Sequence, residues 1–403
     1  MNILFLTMNT FRDIDMHNIY SDLMKVFIIN GHKPYIVTPR EERSGEETEL
    51  QNYDNYAILS VKIGDFSNVS LVKKGVSTVT LKNRYYRAIR RYLKGISFDL
   101  ILYSTPPITL VEPIIKLKKQ YKCTTYLMLK DIFPQNAVDL RMFSKHSLIY
   151  KYFRRQELKL YRVSDYIGCM SRANMNYLKQ NNPEISQDII EICPNGIIPC
   201  HIKDRTLLKK SVRKKYHISN EAIIYIYGGN LGKPQGIPHL IKCLKENANK
   251  SDRFFIICGK GSEYKLIEQY IKEEKPSNIR LISFLPKEEY DNLVAGCDVG
   301  LVFLDNRFTI PNYPSRILSY MENEMPMIVC TDAATDVGFD AYYNGYGFCC
   351  TADDPKAFTE CIDKMTHDNI KSMGDTARKY LESYFTSEKC YAIIKSHWNT
   401  VNK

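Results

Sequence analysis

The chain has 403 residues, 56 Lys/Arg against 45 Asp/Glu for a net charge of +11, 44% hydrophobic residues and 12 cysteines. That length allows two domains with a core each, and the ordinary apolar and charged fractions exclude a disordered chain. The cysteines form no CxxC pair and, with the scattered histidines, no zinc-type cluster, so they read as small buried residues in a reducing compartment and no metal site is expected.

MNILFLTM lacks a basic leader and runs into a polar loop, so it reads as a first strand and not a signal peptide. FDLILYSTPPITLVEPII comes nearest to a membrane span, but two prolines and a glutamate break it, which leaves a soluble or peripheral protein. NILFLT at 2–7 and PYIVT at 34–38 flank a helix with Ile19, Leu23, Val26 and Phe27 on one face. Strand–helix–strand units of this kind imply a parallel sheet. Apolar runs at 57–61, 99–103, 124–129, 165–170 and 189–193 continue the alternation, and a doubly wound α/β domain is predicted.

In such sheets ligands bind beyond the carboxyl ends of the strands. Candidate loops there are MNTFRDIDMHN with Asp13 and Asp15, STPPIT with Thr105, and KDIFPQNAVDL with Lys130 and Asp131. Asp131 is also compatible with a plain turn or cap residue. Residues 62–162 hold 21 Lys/Arg against 6 Asp/Glu, a surplus of 15, densest in KNRYYRAIRRYLK, KLKKQYK and KYFRRQELKLYR. Basic residues interleaved with aromatics suit an anionic membrane surface, although each cluster alone also fits a solvated helix face. Nucleic acid would attract similar charge but is not the partner expected.

The chain beyond CPNGI repeats the α/β pattern. AIIYIYGGNLGKPQGIPHL is a buried strand ending in glycines and followed by a helix; it is neither GxGxxG nor a Walker loop. FFIICGKGSEY, IRLISFLPKEEY and CDVGLVFL add strands. In TIPNYPSRILSYMENEMPMIVCTD, Pro314 can open a helix whose free amides at Ser315 and Arg316 suit an anion. The same stretch also fits an ordinary helix of an α/β domain. SEKCYAIIKSHWNT closes the chain with Tyr391, Ile394 and Trp398 on one face.

PNYPSRILSYMENEMPMIV resembles the donor-sugar segment of the family-four glycosyltransferases, retaining enzymes of the GT-B fold, in the branch that builds bacterial surface polysaccharides such as O-antigen and capsule. GNLGKxQG, STPP and the PQNA text after Asp131 are similar to that branch as well. Where many members carry two glutamates eight apart, this chain has Pro311 and Ser319, and the usual arginine and lysine of the glycine-rich turn are replaced by Asn230 and Gln235. The resemblance implies two Rossmann-like doubly wound domains facing across a cleft. These would be an acceptor-binding domain over 1–197, a donor-binding domain over 198–385 and a helix over 386–403 packing back on the first domain. The pattern of the last helix is equally compatible with capping its own lobe.

The implied reaction moves a hexose from a nucleotide diphosphate sugar, UDP-linked, with retention and without metal or cofactor. The acceptor would be a glycan or an undecaprenyl-diphosphate-linked glycan at the inner face of the plasma membrane. Donor contacts would come from Gly229, Asn230, Lys233, Gly259, Lys260, Phe284, Leu285, Asn312, Tyr313, Ser315, Arg316 and Ser319. Asp131 would serve catalysis, with Lys130 either keeping it ionised or touching the donor, and Asp13, Asp15 and Thr105 would meet the acceptor. Rival readings are a sugar-nucleotide epimerase of the same fold, and a catalytically silent membrane- or partner-binding subunit, which the missing glutamates motivate.

Overall fold

The computed structural model describes residues 1–65, 71–200 and 204–398, excepting the side chains of 71–76, 78 and 79. The tail of the expected last helix and the centre of IPCHIKD therefore lie outside the described residues. The chain divides into two compact units, Met1–Ile198 with Thr386–Lys403, and Pro199–Phe385.

The first unit carries strands β1 Asn2–Leu6, β2 Lys33–Glu41, β3 Glu49–Asn52, β4 Ala57–Ile63, β5 Leu100–Ser104, β6 Thr124–Leu129, β7 Tyr166–Cys169 and β8 Ile190–Ile192. They lie in the order β3-β4-β2-β1-β5-β6-β7-β8, parallel except for β3. β3 is not predicted from the sequence: ELQN has no apolar run, and it forms only because an edge strand needs a partner on one side. The central strands are buried throughout and mostly apolar because helices cover both faces. The helix Ile19–Ile29 starts where Asn18 accepts hydrogen bonds from the amides of Tyr20 and Ser21, and it buries Leu23, Met24, Val26 and Phe27.

The last helix, Ser387–Ser396, packs on Ile19–Ile29 within this first unit. Tyr391 meets the Phe27 ring edge-on at 5.1 Å and its hydroxyl lies 3.0 Å from His32 Nε2. The chain enters the helix against Gly196, where a Cβ would stand 2.4 Å from the Thr386 carbonyl oxygen. Of the two placements its pattern allows, this is the one on the first unit.

The second unit carries β9 Ile223–Asn230, β10 Arg253–Lys260, β11 Ile279–Ile282, β12 Val299–Phe303, β13 Met327–Thr331 and β14 Gly347–Thr351, all parallel in the order β11-β10-β9-β12-β13-β14. Strand order reverses at β9, which leaves an opening beyond the ends of β9 and β12. The described cysteines are free, and most are buried in the two cores, as expected of small apolar residues. No helix among the described residues is long and apolar enough to cross a membrane.

Candidate functional site

The opening beyond β9 collects loops from four strands of the second unit. β9 and β10 run in register to their ends, Gly259 opposite Gly229 and Lys260 opposite Asn230. Gly229 has φ +126°, a backbone conformation only glycine adopts comfortably, and this turns the chain out of the sheet. Gly259 has a different reason: a Cβ there would stand 1.8 Å from the Gly229 carbonyl oxygen, so it is fixed by strand packing and not by a ligand's approach. The turn that follows is held by Tyr227, whose hydroxyl donates to the Asn230 carbonyl at 2.7 Å. Asn230 donates from Nδ2 to Gln235 Oε1 at 3.0 Å, so the two residues that replace a cationic pair bond each other. Lys233 stands exposed between them. Asp305, just past β12, donates its amide to the Pro234 carbonyl, and its carboxylate takes two hydrogen bonds from the Arg307 guanidinium.

The helix Arg316–Glu322 begins two residues later than Pro314 allows, with Ser315 at its cap. Ile317, Leu318, Tyr320 and Met321 are buried beneath it. Tyr320 fixes the helix to the strand ends: its hydroxyl accepts from the Gly228 amide and lies 3.2 Å from the carbonyls of Ile226 and Leu301. Tyr320→Phe should therefore cost about 1–3 kcal/mol in a denaturant melt, because it orphans the buried Gly228 amide. An unchanged midpoint would remove Tyr320 from this role.

That anchoring aims Arg316. Its guanidinium lies 4.4 Å from the centre of the Tyr227 ring and packs against Gly229. Its Nη1 is buried and, among the described residues, has no hydrogen-bond partner. A buried cationic donor without an acceptor is costly unless an anion supplies one. Glu263, which is not among the expected site residues, carries another buried polar atom without a partner among the described residues, Oε2. Burial holds the Glu263 carboxyl above the usual range against the pull of Lys233. Its place in GKGSEY, directly after a glycine-ended strand, was the available signal.

The remaining expected donor residues fall into two sets. Lys260 lies 4.2 Å from the centre of the exposed Phe284 ring, with Leu285 beside it, and Ser315 is exposed while Ser319 and Asn312 are half-buried. Tyr313, by contrast, is buried and donates its hydroxyl to Asp340 at 2.8 Å, so it shapes the loop from inside.

In the first unit, the loop after β6 carries Lys130 and Asp131. Thr105 is 2% exposed, and its Oγ1 accepts from the amides of Lys130 and Asp131 and approaches the Asp131 carbonyl at 3.2 Å. Thr105 therefore holds this loop, and its hydroxyl is not turned toward an acceptor. Lys130 does not serve Asp131 as expected. Its Nζ donates to Asn195 Oδ1 and stands over the Tyr20 ring, and burial lowers its pKa. The Asp131 carboxylate has no hydrogen-bond partner among the described residues, and burial pushes its pKa up to about 6. Asp13 and Asp15 are exposed, with the Asp15 amide donating to the Asp13 carboxylate at 3.0 Å.

Known proteins give this arrangement its context. Residues 209–382 match the family model described as "Glycosyl transferases group 1". A probable glycosyltransferase of Pseudomonas aeruginosa, WbjE, is 23% identical over 305 residues, 74% of each chain. Among solved structures, sucrose-phosphate synthase from Thermosynechococcus elongatus superposes with a TM-score of 0.73 at 13% identity, covering 99% of this chain and 98% of that one. Anabaena Alr3699/HepE in complex with UDP and glucose superposes with a TM-score of 0.65 at 15% identity, covering 99% and 100%. The fold is thus the two-domain GT-B-like α/β fold of these solved structures, and residues 209–382 are similar to the group 1 glycosyl transferases.

Proposed function

We propose that this protein is a retaining, metal-independent hexosyltransferase that takes its sugar from a UDP-linked donor. Its acceptor is a glycan or undecaprenyl-diphosphate-linked glycan of a bacterial surface polysaccharide, O-antigen or capsule, at the inner face of the membrane. The observation that carries the donor half is the buried, unpartnered Nη1 of Arg316 beside the glycine-ended strand β9. A diphosphate offers the acceptor oxygens this cation lacks, and it gains negative charge as it departs, which Arg316 and Lys233 would stabilise. The solved neighbour that holds UDP and glucose supports the choice of nucleotide. Asn230 and Gln235, bonded to each other, leave the site with fewer cations than a paired arginine and lysine would give.

Asp131 supplies the acceptor half of the proposal. A carboxylate free of protein partners can accept the proton of an acceptor hydroxyl or orient that hydroxyl. Calorimetric titration of the full chain with UDP-, GDP- and dTDP-sugars tests the reading: micromolar to millimolar binding of a UDP-sugar is expected, and no binding of any of them would overturn it. Conversion of the donor without any acceptor into an epimeric sugar nucleotide would favour the epimerase instead.

A further inference from the structure

Among the described residues of the basic first unit, positions 142–152 hold the densest run of exposed large apolar side chains. Met142, Leu148, Ile149 and Tyr152 are 58%, 81%, 54% and 41% exposed. Leu148 and Ile149 open the helix Leu148–Val163, where Ser147 caps by accepting from the Tyr150 amide, and Tyr152 follows one turn later on the Leu148 side. Single exposed apolar residues are ordinary, but three within the first five positions of one helix, with Met142 six residues before it, concentrate apolar surface that water disfavours.

The charge around that patch has one sign. Between Asp139 and Glu157 the chain has Arg141, Lys145, Lys151, Arg154 and Arg155 and no acidic residue. Arg154 is taken by Glu157, and the other four are exposed. The expected alternative, KNRYYRAIRRYLK, lacks the apolar half: Tyr85 is fully buried with its hydroxyl on the Thr7 carbonyl, and Arg90 is held by Gln120. KLKKQYK likewise commits Lys118 to Asp165.

The patch is also tied to the loop of Asp131. Phe133, two residues on, meets the Phe153 ring at 4.9 Å and the Phe143 ring at 6.3 Å, both edge-on. Whatever holds 141–155 in place thereby holds the Asp131 loop.

We propose that residues 141–155 dock this protein on an anionic lipid surface, Leu148, Ile149 and Met142 entering the acyl boundary and Arg141, Lys145, Lys151 and Arg155 meeting the head groups. The placement rests on the lipid-linked acceptor proposed above and deepens it: an acceptor anchored in that surface would present its head group beside the Asp131 loop. A purely basic rim selects a negative surface, and its attraction is screened by salt.

The test is co-sedimentation of the full chain with vesicles of phosphatidylglycerol or of phosphatidylcholine. Wild type should prefer the anionic vesicles and lose binding as salt rises. Leu148→Glu with Ile149→Glu should cut anionic binding at least about 10-fold. Both side chains are exposed, so the melting curve and the calorimetric affinity for the sugar nucleotide should not move. Lys145→Ala with Lys151→Ala should erase the preference between lipids. Anionic binding at wild-type strength in the Leu148/Ile149 double variant would overturn the assignment. So would loss in that variant of a dimer rather than of vesicle binding, which would make the face a self-contact. Vesicle binding needs no donor, so a protein that binds sugar nucleotide but ignores vesicles sinks the docking element alone. One that docks but binds no sugar nucleotide sinks the transfer reading alone.

Discussion

Asp131→Asn should slow sugar transfer by at least ~10²-fold while leaving sugar-nucleotide affinity unchanged. Among the described residues the carboxylate has no hydrogen-bond partner to lose, so the fold should survive the change. The wild-type rate should rise with pH through about 6 as the carboxylate forms, and the variant should lose that rise. Stability gives an independent reading. Because burial raises the carboxyl from 3.8 to about 6, the native state between those values keeps a proton that the unfolded chain has released. Stability therefore falls as pH rises through that window and stays lower above it. Asp131→Asn removes the effect, so its stability should match wild type near pH 4 and exceed it at pH 8, by on the order of 3 kcal/mol. Near wild-type transfer in the variant, with the two melting curves superimposed at every pH, would make Asp131 a turn residue. Asp13 and Asp15 would be tested next.

Arg316→Ala should weaken sugar-nucleotide binding by about 1.5–3 kcal/mol, roughly 10- to 150-fold, the range for losing a charge-assisted hydrogen bond. The structure ranks it above Lys233→Ala. Arg316 is held over the Tyr227 ring with a buried donor waiting for an anion, whereas Lys233 is exposed and shares its field with Glu263. Lys233→Ala should fall at the lower end, and salt should narrow its effect more than that of Arg316→Ala. Calorimetry giving wild-type affinity for Arg316→Ala would remove the diphosphate from this position and leave Nη1 without an explanation.

The amino-acid sequence by itself determined the alternation of elements. The apolar runs within β1, β2, β5, β6, β9, β10, β12 and β13 are dictated by burial on both faces, and burial writes itself into local composition. It did not disclose β3, whose ELQN is polar, or β14, whose GFCCT is short and half-buried, because both lie at sheet edges where composition is weakly constrained. The site divides in the same way. That Arg316 opens a helix after a buried strand was legible from Pro314 and the run that follows.

Which way its guanidinium faces was decided only by the tertiary structure, through Tyr227 and through Tyr320, whose partner Gly228 is 92 residues away. Lys130 is adjacent to Asp131 in sequence, yet its ammonium reaches Asn195, 65 residues on. Thr105, expected at an acceptor, is turned inward onto the loop it supports. A polar side chain near a strand end has several partners within reach, and nothing local in the chain ranks them. The ranking comes from where the next strand's loop falls once the sheet has formed, because a buried donor or acceptor must be satisfied by whatever stands there.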